Sequence, residues 1–192
     1  MSRARSPNPF PLLEILFLLA LGCAAVGLCI LLLRGRGEAY KTQCTSNLKQ
    51  VYSLALGYAQ KNGINAYPIG DGTAPAAHES LNKLVDYEGE GLNPKLFICP
   101  EDEASAAKLD SSGKFKLSAE TLSYSWVKER MRSTTPNRAL ASDKYVDGFV
   151  DSAGRHYGHR KGMVVLMTDG AASFVPEDEL PPTTKLPEGL TR

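Results

Sequence analysis

Residues 40–63 read YKTQCTSNLKQVYSLALGYAQKNG, and their spacing governs how the rest of the chain is read. Apolar or small side chains recur at Tyr40, Cys44, Leu48, Val51, Tyr52, Ala55, Tyr58 and Ala59, while Lys41, Lys49, Gln50 and Lys61 fall on other faces. Steps of three and four put the first set on one stripe, which predicts an amphipathic helix running to about Lys61. Asn62-Gly63 ends it, because both residues tolerate the left-handed conformation used at helix C-termini. On the N-terminal side, beyond an expected hinge at Arg34-Gly35-Arg36-Gly37, residues 15–33 read ILFLLALGCAAVGLCILLL without a charge. Nineteen residues at 1.5 Å each cover about 28 Å, close to the roughly 30 Å hydrocarbon core of a bilayer. The run is longer than the apolar region of a cleavable signal peptide. Arg3 and Arg5 precede it and Arg34 and Arg36 follow it, so flanking charge gives no orientation.

Downstream, Leu81, Leu84 and Val85 within residues 78–87 predict a short second helix after a polar, Gly-rich loop. Leu96-Phe97-Ile98-Cys99-Pro100 reads as a strand ending at a proline, and residues 101–120 as a surface loop. The alternation over residues 122–127 predicts a half-buried strand, with another expected over residues 138–142. Residues 163–167 and 171–175 flank Thr168-Asp169-Gly170, a tight-turn signal for a hairpin. Helix followed by sheet implies an α+β fold in which a small antiparallel sheet packs on the C-terminal half of the long helix. The division read from the chain is an N-terminal segment (1–11), a transmembrane helix (12–34), an α+β domain (38–175) and a loose Pro-rich tail (176–192).

Composition narrows the partners. The 22 basic and 21 acidic residues give a formal net charge of +1, so no overall field attracts nucleic acid. The bilayer is the partner that the sequence itself names. About 155 residues outside the apolar N-terminal region suffice for one domain with its own core. For catalysis there is no nucleophile elbow, no phosphate-cradling glycine loop and no acid and base pair, so the chain reads as non-enzymatic. His156 and His159 stand among Arg155, Arg160 and Lys161, which reads as a solvated turn. Neither Cys44 nor Cys99 has a nearby Cys or His at zinc-like spacing, so no metal site is expected of them. Cys23 and Cys29 lie within the apolar run as small apolar side chains.

Glu14 stands at the head of the apolar run, where a carboxylate is costly unless it sits at the interface or meets a partner charge. Phe10-Pro11-Leu12-Leu13-Glu14-Ile15-Leu16 resembles the N-terminal motif of type IV prepilins and pseudopilins, with an aromatic first mature residue and a glutamate fifth. Cys44-Thr45-Ser46-Asn47-Leu48-Lys49-Gln50-Val51, then Tyr58-Ala59, Asn62-Gly63 and Tyr67-Pro68, resemble a group of bacterial pilin-like proteins related to the major pseudopilins of type II secretion. Cys99-Pro100 and the segment from Arg155-His156 to Asp169-Gly170 extend the likeness in patches. Ala171 and Ala172 stand where that group has histidine and valine, and Pro9 stands where prepilin peptidase takes glycine.

The resemblance implies a pilin-like fold and a structural subunit of a type II secretion or type IV pilus-like assembly. It implies other pilin-like subunits and prepilin peptidase as partners, with Glu14 and the Phe10 amine pairing between subunits. It makes residues 1–11 a cytoplasmic leader-like segment and residues 38–175 an exported domain, and it places the chain in the bacterial inner membrane as a single-pass protein with its C-terminal domain in the periplasm or outside. The alternative is an uncleaved, anchored monomeric module that binds an envelope protein or ligand. Export into an oxidising compartment leaves Cys44 and Cys99 as either a disulfide or two buried thiols at the helix-sheet contact. No cofactor is called for except calcium, which major pseudopilins bind in C-terminal loops. Asp143, Asp147 and Asp151 are the oxygen ligands available for it here.

Overall fold

The computed structural model describes residues 10–63, 65–69, 76–102, 105–135, 138–143, 159, 162–179 and 190–191. The chain forms two units, Met1–Ala39 and Tyr40–Arg192. Helix α1 (Phe10–Lys61) supplies the described part of the first and begins the second.

In the first unit every described side chain from Glu14 to Leu31 is exposed, including Leu16, Phe17, Leu21, Val26 and Leu28. This is one helix long and apolar enough to cross a membrane. The Arg34 to Gly37 segment expected to hinge is helical. Glycine costs a helix about 1 kcal/mol, which strong helix formers on both sides outweigh.

In the second unit the helix obeys the predicted stripe. Cys44, Leu48, Val51, Ala55 and Ala59 are fully buried, whereas Tyr40 stays exposed. The stop is as read, with Asn62 N–H donating to Tyr58 O at 3.2 Å and Gly63 at φ 65°. Helix α2 (Ala77–Glu88) buries Leu81, Leu84 and Val85, and the Glu79 carboxylate accepts from the Ala76 N–H at its start.

The sheet has the order β4-β3-β2-β1-β5, with every pairing antiparallel. Its strands are β1 (Tyr124–Val127), β2 (Ala139–Asp143), β3 (Gly162–Met167), β4 (Ala172–Pro176) and β5 (Leu190–Thr191). The fold is therefore α+β, with one main core shared by α1, α2 and the sheet. Trp126 is buried there with its indole N–H donating to Pro68 O at 2.7 Å. The Asp-Gly turn joins β3 and β4 as expected, with Gly170 at φ 85°. A Cβ on Gly170 would lie 2.7 Å from the Tyr52 ring, so the turn sits against the helix.

Four further readings need correction. The strand expected to be half-buried over residues 122–127 is β1, and all four of its side chains are buried, because both of its faces are covered. Residues 96–100 do not form a strand: Pro94–Phe97 is a 3-10 helix, because the Asn93 side chain accepts from the Lys95 N–H at 3.0 Å and Pro94 fits the first turn. The loop over residues 101–120 is not wholly superficial, since Ala107, Phe115 and Leu117 are buried. Asn82 on α2 holds Leu117 by both its backbone groups, at 3.0 and 2.8 Å. The tail contributes β5, which pairs with β1 through Trp126 and Thr191, and Val127 and Leu190.

Candidate functional site

Four side chains that the sequence scatters meet inside the second unit. Cys44 comes from the buried stripe of α1, one turn before Leu48. Cys99 follows the 3-10 turn, its carbonyl accepting from the Asp102 N–H at 2.9 Å. Asp143 closes β2, opposite Tyr124 of β1, and His159 lies three residues before β3. Asp143, Cys44 and Cys99 are fully buried and His159 is 1% exposed.

One ligand-type atom from each, two sulfurs, a carboxylate oxygen and an imidazole nitrogen, lies within 4.8 Å of every other. Cys44 Sγ stands 3.7 Å from Asp143 Oδ2. Cys99 Sγ stands 3.8 Å from His159 Nε2, and that nitrogen is 3.3 Å from Asp143 Oδ2. The groups behind them are also tied. His159 Nδ1 bonds the Glu101 carboxylate, and Asp143 Oδ1 accepts from the Val164 N–H at 2.6 Å. Ile98 O, next to Cys99, accepts from Asn47 Nδ2 at 3.1 Å and from the Tyr124 hydroxyl at 3.2 Å. Phe174 of β4 meets the His159 ring edge-on at 5.8 Å, with Lys41 Nζ 4.3 Å from the Phe174 centroid.

Protonation is strongly perturbed. The hydrogen bond with Cys99, then burial and the Asp143 charge, push the Cys44 thiol up. The hydrogen bond with Cys44 pulls Cys99 down to about 6 against burial, with His159 helping. Burial holds the Asp143 carboxyl well above the usual carboxylate range, and the neighbouring Cys99 adds to it. Burial alone would lower His159, but Cys99, Asp143 and Glu101 outweigh it and raise the imidazole to about 9. Protons are thus shared among donors that cannot all be charged in a dry interior.

The sequence-derived candidates fare differently. Glu14 is exposed on α1, and Phe10 is its first residue. Cys44 and Cys99 do meet, but as free buried thiols rather than a disulfide. Asp143 is a buried member of the tetrad, with Asp147, Asp151 and His156 outside the described residues. His159 is not part of a solvated turn: it faces inward, against Glu101 and Asp143. No zinc-like spacing runs along the chain, yet the fold brings four ligand-type side chains together from four places. One signal was available in the sequence, a carboxylate closing a short strand of small and apolar residues, Ala139 to Asp143.

The cluster can hold a divalent cation, or its sulfurs can oxidise to a disulfide. A Cys99 and His159 pair also resembles an activated nucleophile, but a nucleophile must meet its substrate and these atoms are sealed from solvent. No family profile, curated protein or solved structure matches the chain.

Proposed function

We propose that this chain is a membrane-anchored, non-enzymatic structural subunit of the pilin or pseudopilin kind, serving a type II secretion or type IV pilus-like assembly. The observation that carries the reading is α1 itself. One helix presents lipid-compatible side chains over residues 15–31 and then supplies the buried stripe of an α+β domain. That division is what a subunit needs when its anchors pack side by side and its domains stand outside the bilayer. The prepilin-like Phe10 to Leu16 motif supports it, and in this reading Glu14 neutralises the amine of a neighbouring subunit within lipid. The N-terminus is then cytoplasmic and the domain lies in the periplasm or beyond, in a bacterial inner membrane.

Crosslinking in membranes tests assembly. Glu14→Ala should abolish crosslinks to pilin-like partners while the domain keeps its melting temperature, and unchanged crosslinking counts against the proposal. Pro9 favours a second reading, an anchor that is never cleaved and a module that stays monomeric. The mass of the N-terminal peptide separates the two. A start at Phe10 supports the assembling subunit, and an intact start at Met1 supports the monomeric module.

A further inference from the structure

We infer that Cys44, Cys99, Asp143 and His159 bind one zinc-type divalent ion as a closed structural centre, independently of whether the chain assembles. The distances carry the argument. Zinc binds sulfur at about 2.3 Å, imidazole nitrogen at about 2.0–2.1 Å and carboxylate oxygen at about 2.0–2.2 Å in a tetrahedron. The edges of such a tetrahedron run from about 3.3 to 3.8 Å. The observed sulfur-oxygen, sulfur-nitrogen and nitrogen-oxygen separations are 3.7, 3.8 and 3.3 Å. Three of the six edges thus fall in the range that an ion would require, and the other three are no longer than 4.8 Å.

The surroundings match a metal centre as well. The imidazole offers Nε2 to the middle while Nδ1 bonds Glu101, the carboxylate-histidine arrangement that orients a metal-binding ring. Val164 N–H occupies Asp143 Oδ1 and leaves Oδ2 facing inward. Two thiolates and a carboxylate would bring three negative charges into a fully buried place, and a divalent cation offsets two of them. Two sulfurs and an imidazole select zinc over calcium or magnesium, which prefer oxygen. Four protein ligands and almost no exposure leave no open position for a substrate, so the ion's work is structural. It would fasten α1, the Cys99 turn, the end of β2 and the residue leading into β3.

A disulfide is the competing use of the same sulfurs. It would occupy Cys44 and Cys99 alone and leave Asp143 and His159 buried without the partner that explains their convergence. The test uses the full chain purified in detergent under reducing conditions without chelator. Elemental analysis should find close to one zinc per chain, and cobalt replacement should give the thiolate charge-transfer and tetrahedral absorption of a sulfur-ligated ion. Cys99→Ser and His159→Ala should lose the metal, and Glu101→Gln should weaken zinc binding about 10–100-fold. Paired Cys23→Ser and Cys29→Ser should keep the full complement. Because ligand variants can fail to fold, the deciding measurement is made on the unaltered chain. Apo protein that stays folded but takes up no zinc overturns the inference, as does a Cys44–Cys99 disulfide in protein isolated from membranes without reductant.

Discussion

The two halves of α1 share a backbone and differ in what surrounds them. From Glu14 to Leu31 the described side chains are exposed on every face, with no buried stripe. From Cys44 to Ala59 the helix buries one stripe and leaves Lys49, Gln50 and Ser53 outside. A helix apolar all round needs an apolar solvent, and one apolar on a single stripe needs a protein core. The same residue type therefore means different things in each half. Cys23 and Cys29 are exposed, whereas Cys44 is buried against Cys99 and Asp143.

That contrast can be broken experimentally. The largest effect expected is loss of the ion: chelation should lower domain stability by about 4 kcal/mol where free zinc had stood a thousandfold above its Kd. Calorimetry with and without chelator measures it, and Cys23→Ser should not alter the difference. Next is a matched pair of truncations. Leu48→Ala should cost the domain about 2–5 kcal/mol, because Leu48 is fully buried. Leu21→Ala, on a side chain 58% exposed, should leave the domain's melting unchanged. Placing a charge reverses the ranking: Leu21→Arg should penalise membrane insertion by about 3 kcal/mol, read as a fall in the membrane-integrated fraction. The smallest effect is expected at the hairpin. Gly170→Ala forces a positive φ on alanine and pushes a methyl toward Tyr52, for a loss of about 1–3 kcal/mol by thermal melting.

What was legible in the sequence was local. The stripe on α1, the Asn62-Gly63 stop, α2 and the strands around Asp169-Gly170 are each written in consecutive residues at a helical or alternating period. Leu96 to Ile98 misled because three adjacent apolar residues look like a strand, while the deciding chemistry lay upstream in Asn93 and Pro94. Leu190–Thr191 carries no period of its own and becomes a strand only beside β1. The tetrad failed to show for the same reason on a larger scale. Its members are separated by 55, 44 and 16 positions, so no spacing rule could join them. Helix α1 packs on the β1–β3 core and β2 pairs with β3, and only that long-range arrangement brings Cys44, Cys99, Asp143 and His159 together.

Strand β5 is only two residues long, yet it occupies the outer edge of β1. Without it, the free backbone groups of a fully buried strand would become a template for other chains. Cutting the chain before Leu190 should therefore raise the tendency to aggregate more than it lowers the melting temperature, and light scattering of the truncated and full-length chains would register the difference. Leu190 and Thr191 thus act as a guard on the protein's colloidal behaviour.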